Sequence, residues 1–241
     1  MQQLGHTRGV TRRNHALITP DTFVRAPLPG MKAATAIVHA APALGAGFLE
    51  YTAEFEAGGE LAPAASQRFV YVREGSLTAG SGKGKLEVGA GCYAYLPPGF
   101  TRALVAGSAS NAIVIEKPYA ALAGVQPPST PIVASVTSVG AQPLGGDSSL
   151  AVQALLPGAP SFDMAVNVMT FEPGAALPFV EVHVMEHGLL MLEGGGVYRL
   201  DDQWYPVTAG DFIWMGPYCP QWFGALGKKP ARYLIYKDWN R

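Results

Sequence analysis

Charge is scarce in this sequence. Only 15% of its 241 residues are charged, and the formal net charge is −1. That balance removes the electrostatic reason to expect nucleic acid or an anionic membrane as partner. Cysteine is rarer still: Cys92 and Cys219 are too few for a disulfide framework and read as small apolar residues in a reducing compartment. No apolar run is long enough to span a bilayer. The opening Met-Gln-Gln-Leu-Gly-His-Thr-Arg lacks the apolar core of a signal peptide. No long segment carries helical periodicity. These absences lead to the expectation of a soluble, globular cytoplasmic protein.

Turn residues, by contrast, are abundant. Twenty-nine glycines and 20 prolines separate short apolar runs in a chain that is 49% hydrophobic. Phe69-Val-Tyr-Val-Arg73, Tyr93-Ala-Tyr-Leu96, Ala112-Ile-Val-Ile-Glu116, Ala165-Val-Asn-Val-Met-Thr-Phe171 and Tyr233-Leu-Ile-Tyr236 all have the length and composition of strands. This pattern predicts an all-β sandwich or barrel.

The chain also repeats itself. Glu74-Gly75 recurs as Glu193-Gly194, and at the same separation Gly91 matches Gly210, Tyr95 matches Trp214 and Ile115 matches Leu234. Upstream, Phe55-Glu-Ala-Gly58 matches Phe171-Glu-Pro-Gly174. A tandem duplication follows, with an arm over 1–30, a first barrel over 31–125, a linker with the first strands of the second half over 126–155, and a second barrel over 156–241.

Chemistry concentrates in the second copy. Residues 181 to 187 read Glu-Val-His-Val-Met-Glu-His, and Gln221 follows a Pro-Tyr-Cys-Pro turn. Side chains alternate faces along a strand, so Glu181, His183 and His187 are expected to share one face. Glu186 falls on the other, as a solvent-facing or supporting residue. Two imidazoles, a carboxylate and an amide oxygen form a hard donor set without thiolate, which points to an open catalytic metal site. Lys237 and Tyr198 have two readings on spacing alone, the barrel interior or an ordinary strand position; Tyr233 shares the parity of Lys237. Trp204, Trp214, Trp222 and Phe223 read as core and cavity wall.

The first copy lacks this donor set. Arg68 falls where His187 sits and Arg102 where Gln221 sits, and a guanidinium has no acceptor with which to ligate a cation. That barrel is expected to be metal-free and structural, with a vestigial anion site on Arg68 and Arg102 as the alternative. Gly80-Ser-Gly-Lys-Gly-Lys85 reads as a hairpin turn and not as a phosphate loop. His6, His15 and His39 have no ligand spacing, and Arg8, Arg12 and Arg13 read as a solvated tail or subunit contact.

The repeat resembles the cupin family of small β-barrels (double-stranded β-helix, or jelly-roll), so the whole is similar to a bicupin. Gly174, Glu181, His183, His187 and Gly194 fit the first cupin motif, with Glu at the usual first His and His at the usual Glu. Gly210, Gly216 and Gln221 fit the second, with Gln at the usual His and no Pro-x-Gly turn. Along nearly its whole length the chain further resembles the (S)-ureidoglycine aminohydrolases, a bicupin family of allantoin (purine) breakdown. The resemblance rests on Asn14-His-Ala-Leu-Ile-Thr-Pro20, Pro27-Leu-Pro-Gly30, Tyr93-Ala-Tyr-Leu-Pro-Pro98, Glu181 through Gly194, Val197-Tyr-Arg-Leu200, Trp204-Tyr-Pro-Val207, Pro220-Gln-Trp222 and Tyr233 through Arg241.

That resemblance implies manganese on Glu181, His183, His187 and Gln221, with Tyr198, Tyr233 and Lys237 lining the substrate pocket. The implied reaction converts (S)-ureidoglycine and water to (S)-ureidoglycolate and ammonia, with Glu181 and Lys237 as candidate acid–base groups. A homo-oligomer, dimer or larger, is expected. The rivals are another metal-dependent cupin enzyme, such as a dioxygenase or isomerase, and a non-catalytic ligand-binding bicupin.

Overall fold

The computed structural model describes residues 7–239; His6, Asn240 and Arg241 lie outside the described residues. Strands dominate, and the helical pieces among the described residues are four single 3-10 turns. All five apolar runs singled out in the sequence lie in strands. No helix among the described residues is long and apolar enough to cross a membrane. Cys92 and Cys219 are both free thiols.

The chain divides into two compact units. One comprises residues 24–139 with 159–162; the other holds 140–158 and the segment from 163 onward, together with the N-terminal residues through Phe23. The sequence-based boundaries are therefore redrawn. The arm expected over 1–30 is split between the units, and Ile132–Ser135, expected with the second half, pairs with Cys92–Leu96 of the first.

In the second unit, one antiparallel sheet runs in the order Val10–Thr11, His15–Ile18, Phe212–Met215, His187–Glu193, Ala231–Asp238, Met164–Phe171, Asp147–Ala154, Gln142–Leu144. A smaller sheet has Gly195–Leu200 between Gln203–Thr208 and Gln221–Ala225. In the first unit, Cys92–Leu96, Gln67–Glu74, Ser110–Lys117 and Leu49–Leu61 follow one another as neighbours, and Ser76–Ala79 lies between Leu86–Gly89 and Leu104–Ala106. Each unit thus shows the same strand order. The Gly80–Lys85 segment joins the antiparallel strands Ser76–Ala79 and Leu86–Gly89, as a hairpin connection should.

Period-two alternation selects what each strand buries. In the second unit Met169, Phe171, Leu189, Met191, Phe223 and Tyr233 belong to one buried cluster. Phe171 and Phe223 meet edge-to-face at 5.0 Å between centroids, and Tyr233 lies 5.7 Å from Phe223. The run Gly194-Gly-Gly196 has a steric cause: a Cβ on Gly196 would run into the Gly224 carbonyl. That close approach sets the register that puts Tyr198 opposite Phe223 and Leu200 opposite Gln221.

The arm is not a solvated tail. His15–Ile18 pairs with Phe212–Met215, and Ala16 and Leu17 are fully buried. Arg8 donates two hydrogen bonds to Asp211, at 2.7 and 2.8 Å, and a third at 2.9 Å to the Pro206 carbonyl. Asp211 is fully buried, so Arg8 neutralises a carboxylate that has left water. Arg8→Ala is expected to cost about 1–2 kcal/mol, because the Asp211 carboxylate keeps only its 2.8 Å bond from Thr208 N and is only partly resolvated through the gap. The measurement is a urea denaturation midpoint, lowered at unchanged m-value. His15, buried, lies 2.9 Å through Nε2 from the Tyr205 hydroxyl and 3.0 Å through Nδ1 from Asn14 Oδ1. These bonds give it a structural role.

Candidate metal centre and its cavity

The segment carrying Glu181 and His183 is not a regular strand. Only His187 begins one, and Glu181 forms an isolated bridge with Gln221. Glu181 N donates to the Gln221 carbonyl at 2.8 Å and Gln221 N to the Glu181 carbonyl at 2.9 Å. Tyr218 N donates to the His183 carbonyl at 2.6 Å. These main-chain bonds hold the segment extended, so the alternation survives locally. Glu181 and His183 are half-buried, whereas Val182 and Val184 are exposed. A bend at Val184 and Met185 then turns the chain into the His187 strand.

One cavity of about 400 Å³ is lined by Glu181, His183, His187, Gln221, Tyr198, Tyr233 and Lys237, so all seven residues singled out meet there. His187 stands opposite Lys237 in the strand register. The His183 and His187 rings lie 5.2 Å apart, and His183 Nε2 is 3.1 Å from Glu181 Oε2. Tyr198 donates to Gln221 Oε1 at 3.3 Å. Its phenol and that of Tyr233 are buried, which pushes both pKa values up and keeps both groups protonated.

Burial holds the His187 imidazole neutral, with a pKa lowered to about 3; Lys237 and then His183 reinforce the shift. Burial also lowers the Lys237 pKa, opposed by the Glu181 charge.

The model of the Cupin domain family matches residues 167–236, a span containing all four donors. The chain is 41% identical to the (S)-ureidoglycine aminohydrolase of Arabidopsis thaliana over 98% of its own length and 80% of that relative's. It is 32% identical to the (S)-ureidoglycine aminohydrolase of Escherichia coli strain K12, over 96% and 91% of the two chains. The chain belongs to the (S)-ureidoglycine aminohydrolase family. The crystal structure of protein Ylba from E. coli superposes with a TM-score of 0.84 at 30% identity, covering 98% of this chain and 95% of the other. This member of the aminohydrolase family is thus an enzyme with an all-β, cupin-like fold.

Do the residues of this aminohydrolase family member suit a divalent ion? Two imidazoles, one carboxylate and one amide share a wall of the cavity. His187 Nδ1 is buried without a hydrogen-bond partner among the described residues. Among the described residues no three His, Cys, Asp or Glu side chains are gathered closely enough to hold a metal ion. Glu181 and His183 face each other instead. The chemistry of the donor set, including its amide, is nevertheless that of an open, hard site, and the residues fit.

Several neighbours went unread in the sequence. Asn167 and Gln142 also line the cavity. Asn167 is the one polar residue amid Ala165-Val-Asn-Val-Met, and it shares its parity with Met169, which was the available signal. Glu186 does turn away from the donors, yet it is buried and accepts a bond from Trp214 Nε1 at 3.1 Å, so it does not face solvent. Trp204 is not core: it is 57% exposed and packs edge-on against Trp222. Trp214 and Phe223 are buried, and Trp222 is half-buried.

In the first unit Arg68 and Arg102 do not converge, so no shared anion site forms. Arg68 is paired with Glu116 at 2.8 Å. Arg102 instead donates to the Gly84 carbonyl and lies over the Phe100 ring. Arg68 stands opposite Glu116, as His187 stands opposite Lys237. With Arg68 matched to His187, the register therefore matches Ile113, and not Ile115, to Leu234.

Proposed function

We propose that this protein hydrolyses (S)-ureidoglycine to (S)-ureidoglycolate and ammonia, with manganese held by Glu181, His183, His187 and Gln221, as a step of allantoin catabolism. The carrying observation is that the four donors, Lys237 and two protonated tyrosines line one cavity in a member of the family. When bound, the ion supplies positive charge and acidifies water.

The chain's own groups account for the rest. The Lys237 ammonium offers a counter-charge to the substrate carboxylate. The phenols of Tyr198 and Tyr233 donate hydrogen bonds and cannot compete as bases. Contacts from separate walls fix one hand of the reacting carbon. Glu181 and Lys237 are the groups placed to move the two protons that amine departure and water addition require. The matching strand orders of the two units support a tandem bicupin, and the exposed apolar side chains Phe179, Val182, Val184 and Tyr218 support a homo-oligomer.

The test is ammonia release from freshly generated (S)-ureidoglycine, paired with elemental analysis of the purified protein. Release above the spontaneous background, without oxygen uptake, is the expected result. Release no faster than background would sink the reading, and oxygen consumption would favour a dioxygenase.

A further inference from the structure

The cavity holding the metal donors is not the largest. The first unit contains one of about 780 Å³, within the range of small-molecule sites. Its walls are mostly apolar, with Leu28, Leu49 and Leu61 among them, and its polar groups are few and fixed. Arg68 has a side chain only 5% exposed and holds Glu116 Oε1 through Nε at 2.9 Å and through the second terminal nitrogen at 2.8 Å. Its remaining terminal nitrogen donates to the Ala62 carbonyl at 2.9 Å. Tyr51 also donates to Glu116 Oε1, at 2.9 Å. All three side-chain contacts fall on the same oxygen. Glu116 Oε2 has no hydrogen-bond partner among the described residues, and the Ser66 hydroxyl lines the same space.

The charge of this arrangement selects the ligand. Arg68 and Glu116 neutralise each other, so a cation gains no net attraction in exchange for its hydration. An anion must either displace Glu116 from Arg68 or lie against the free carboxylate oxygen. A neutral group with an N–H or O–H satisfies Oε2 without either cost. A carbonyl beside that donor can accept from Ser66, while an aliphatic body covers the leucines.

We propose that the first unit is a second binding site, for small neutral molecules carrying an amide or similar hydrogen-bond donor on an apolar body. The site needs no metal, and it stands or falls separately from the hydrolase reading.

The probes are hexanamide, hexanoate and hexylamine, three chains of matched length that are neutral, anionic and cationic. Each is titrated calorimetrically into the full-length, metal-loaded protein. Hexanamide is expected to bind with a Kd of about 1 mM or tighter, and each charged analogue at least about tenfold more weakly. Ala64→Trp places a ring in the lining of this cavity, in the unit that does not carry the metal donors. It is expected to weaken hexanamide at least about tenfold and to leave ammonia release unchanged, which also shows that the variant folds. No binding by hexanamide, equal binding by either charged analogue, or binding untouched by Ala64→Trp would each overturn the proposal.

Discussion

Glu181→Ala is expected to empty the proposed metal centre while leaving the fold intact. The two bonds that tie Glu181 to Gln221 are both main-chain, so alanine keeps the bridge and loses only the carboxylate. Removing a group that merely supports a metal ligand typically lowers affinity 10–100-fold, and removing a ligand should exceed that. Metal content is expected to fall from near one equivalent to near zero by elemental analysis, and ammonia release by at least about a hundredfold. His187→Ala should match it, since that imidazole is buried in the same cavity and its neutral form is the ligating one. Glu186→Gln is the control. Its carboxylate is turned to Trp214, so metal content is expected to stay unchanged even where stability drops. Full metal occupancy in both alanine variants would remove these residues from the donor set.

Glu50→Met is expected to stabilise the protein, and more at alkaline pH than at acid pH. Glu50 is fully buried in the strand Leu49–Leu61, and neither carboxylate oxygen has a hydrogen-bond partner among the described residues. Burial raises its pKa to about 8, against roughly 4.3 for an unfolded glutamate. Between those values the folded chain binds a proton that the unfolded chain has released. The native state is therefore unpenalised below about pH 4.3, loses stability as pH rises, and bears the full penalty above about pH 8. The loss is of the order of a few kcal/mol, or a Tm difference of the order of 10 °C between pH 5 and pH 8.5. Methionine has similar reach and no charge, so its advantage over the parent should widen across that interval. A Tm gain identical at the two pH values would show that Glu50 does not titrate there.

The strands were legible because their apolar runs are bounded by glycine and proline, as at Ala165–Phe171. The site was legible because Glu181 and His183 keep strand alternation even where the ladder fails. What failed was non-local. Nothing near Arg8 announces Asp211, and no periodicity tells His15-Ala-Leu-Ile18 that its partner is Phe212–Met215. Trp204 shows the same limit, since its edge-on contact with Trp222 leaves it exposed. Glu50 could not be read at all: a single glutamate in Leu-Glu-Tyr-Thr looks like the solvent face of an ordinary strand.

The pairing of His15–Ile18 with Phe212–Met215 has a consequence for synthesis. The ribosome makes the arm about 200 residues before its partner, so at about 5–20 residues per second the arm waits roughly 10–40 s before its ladder can close. During that interval Ala16 and Leu17, fully buried in the finished protein, have no sheet to cover them. The second unit therefore cannot complete itself on the nascent chain until Met215 has emerged. Deleting the arm would leave the Phe212–Met215 edge open to pairing with other chains.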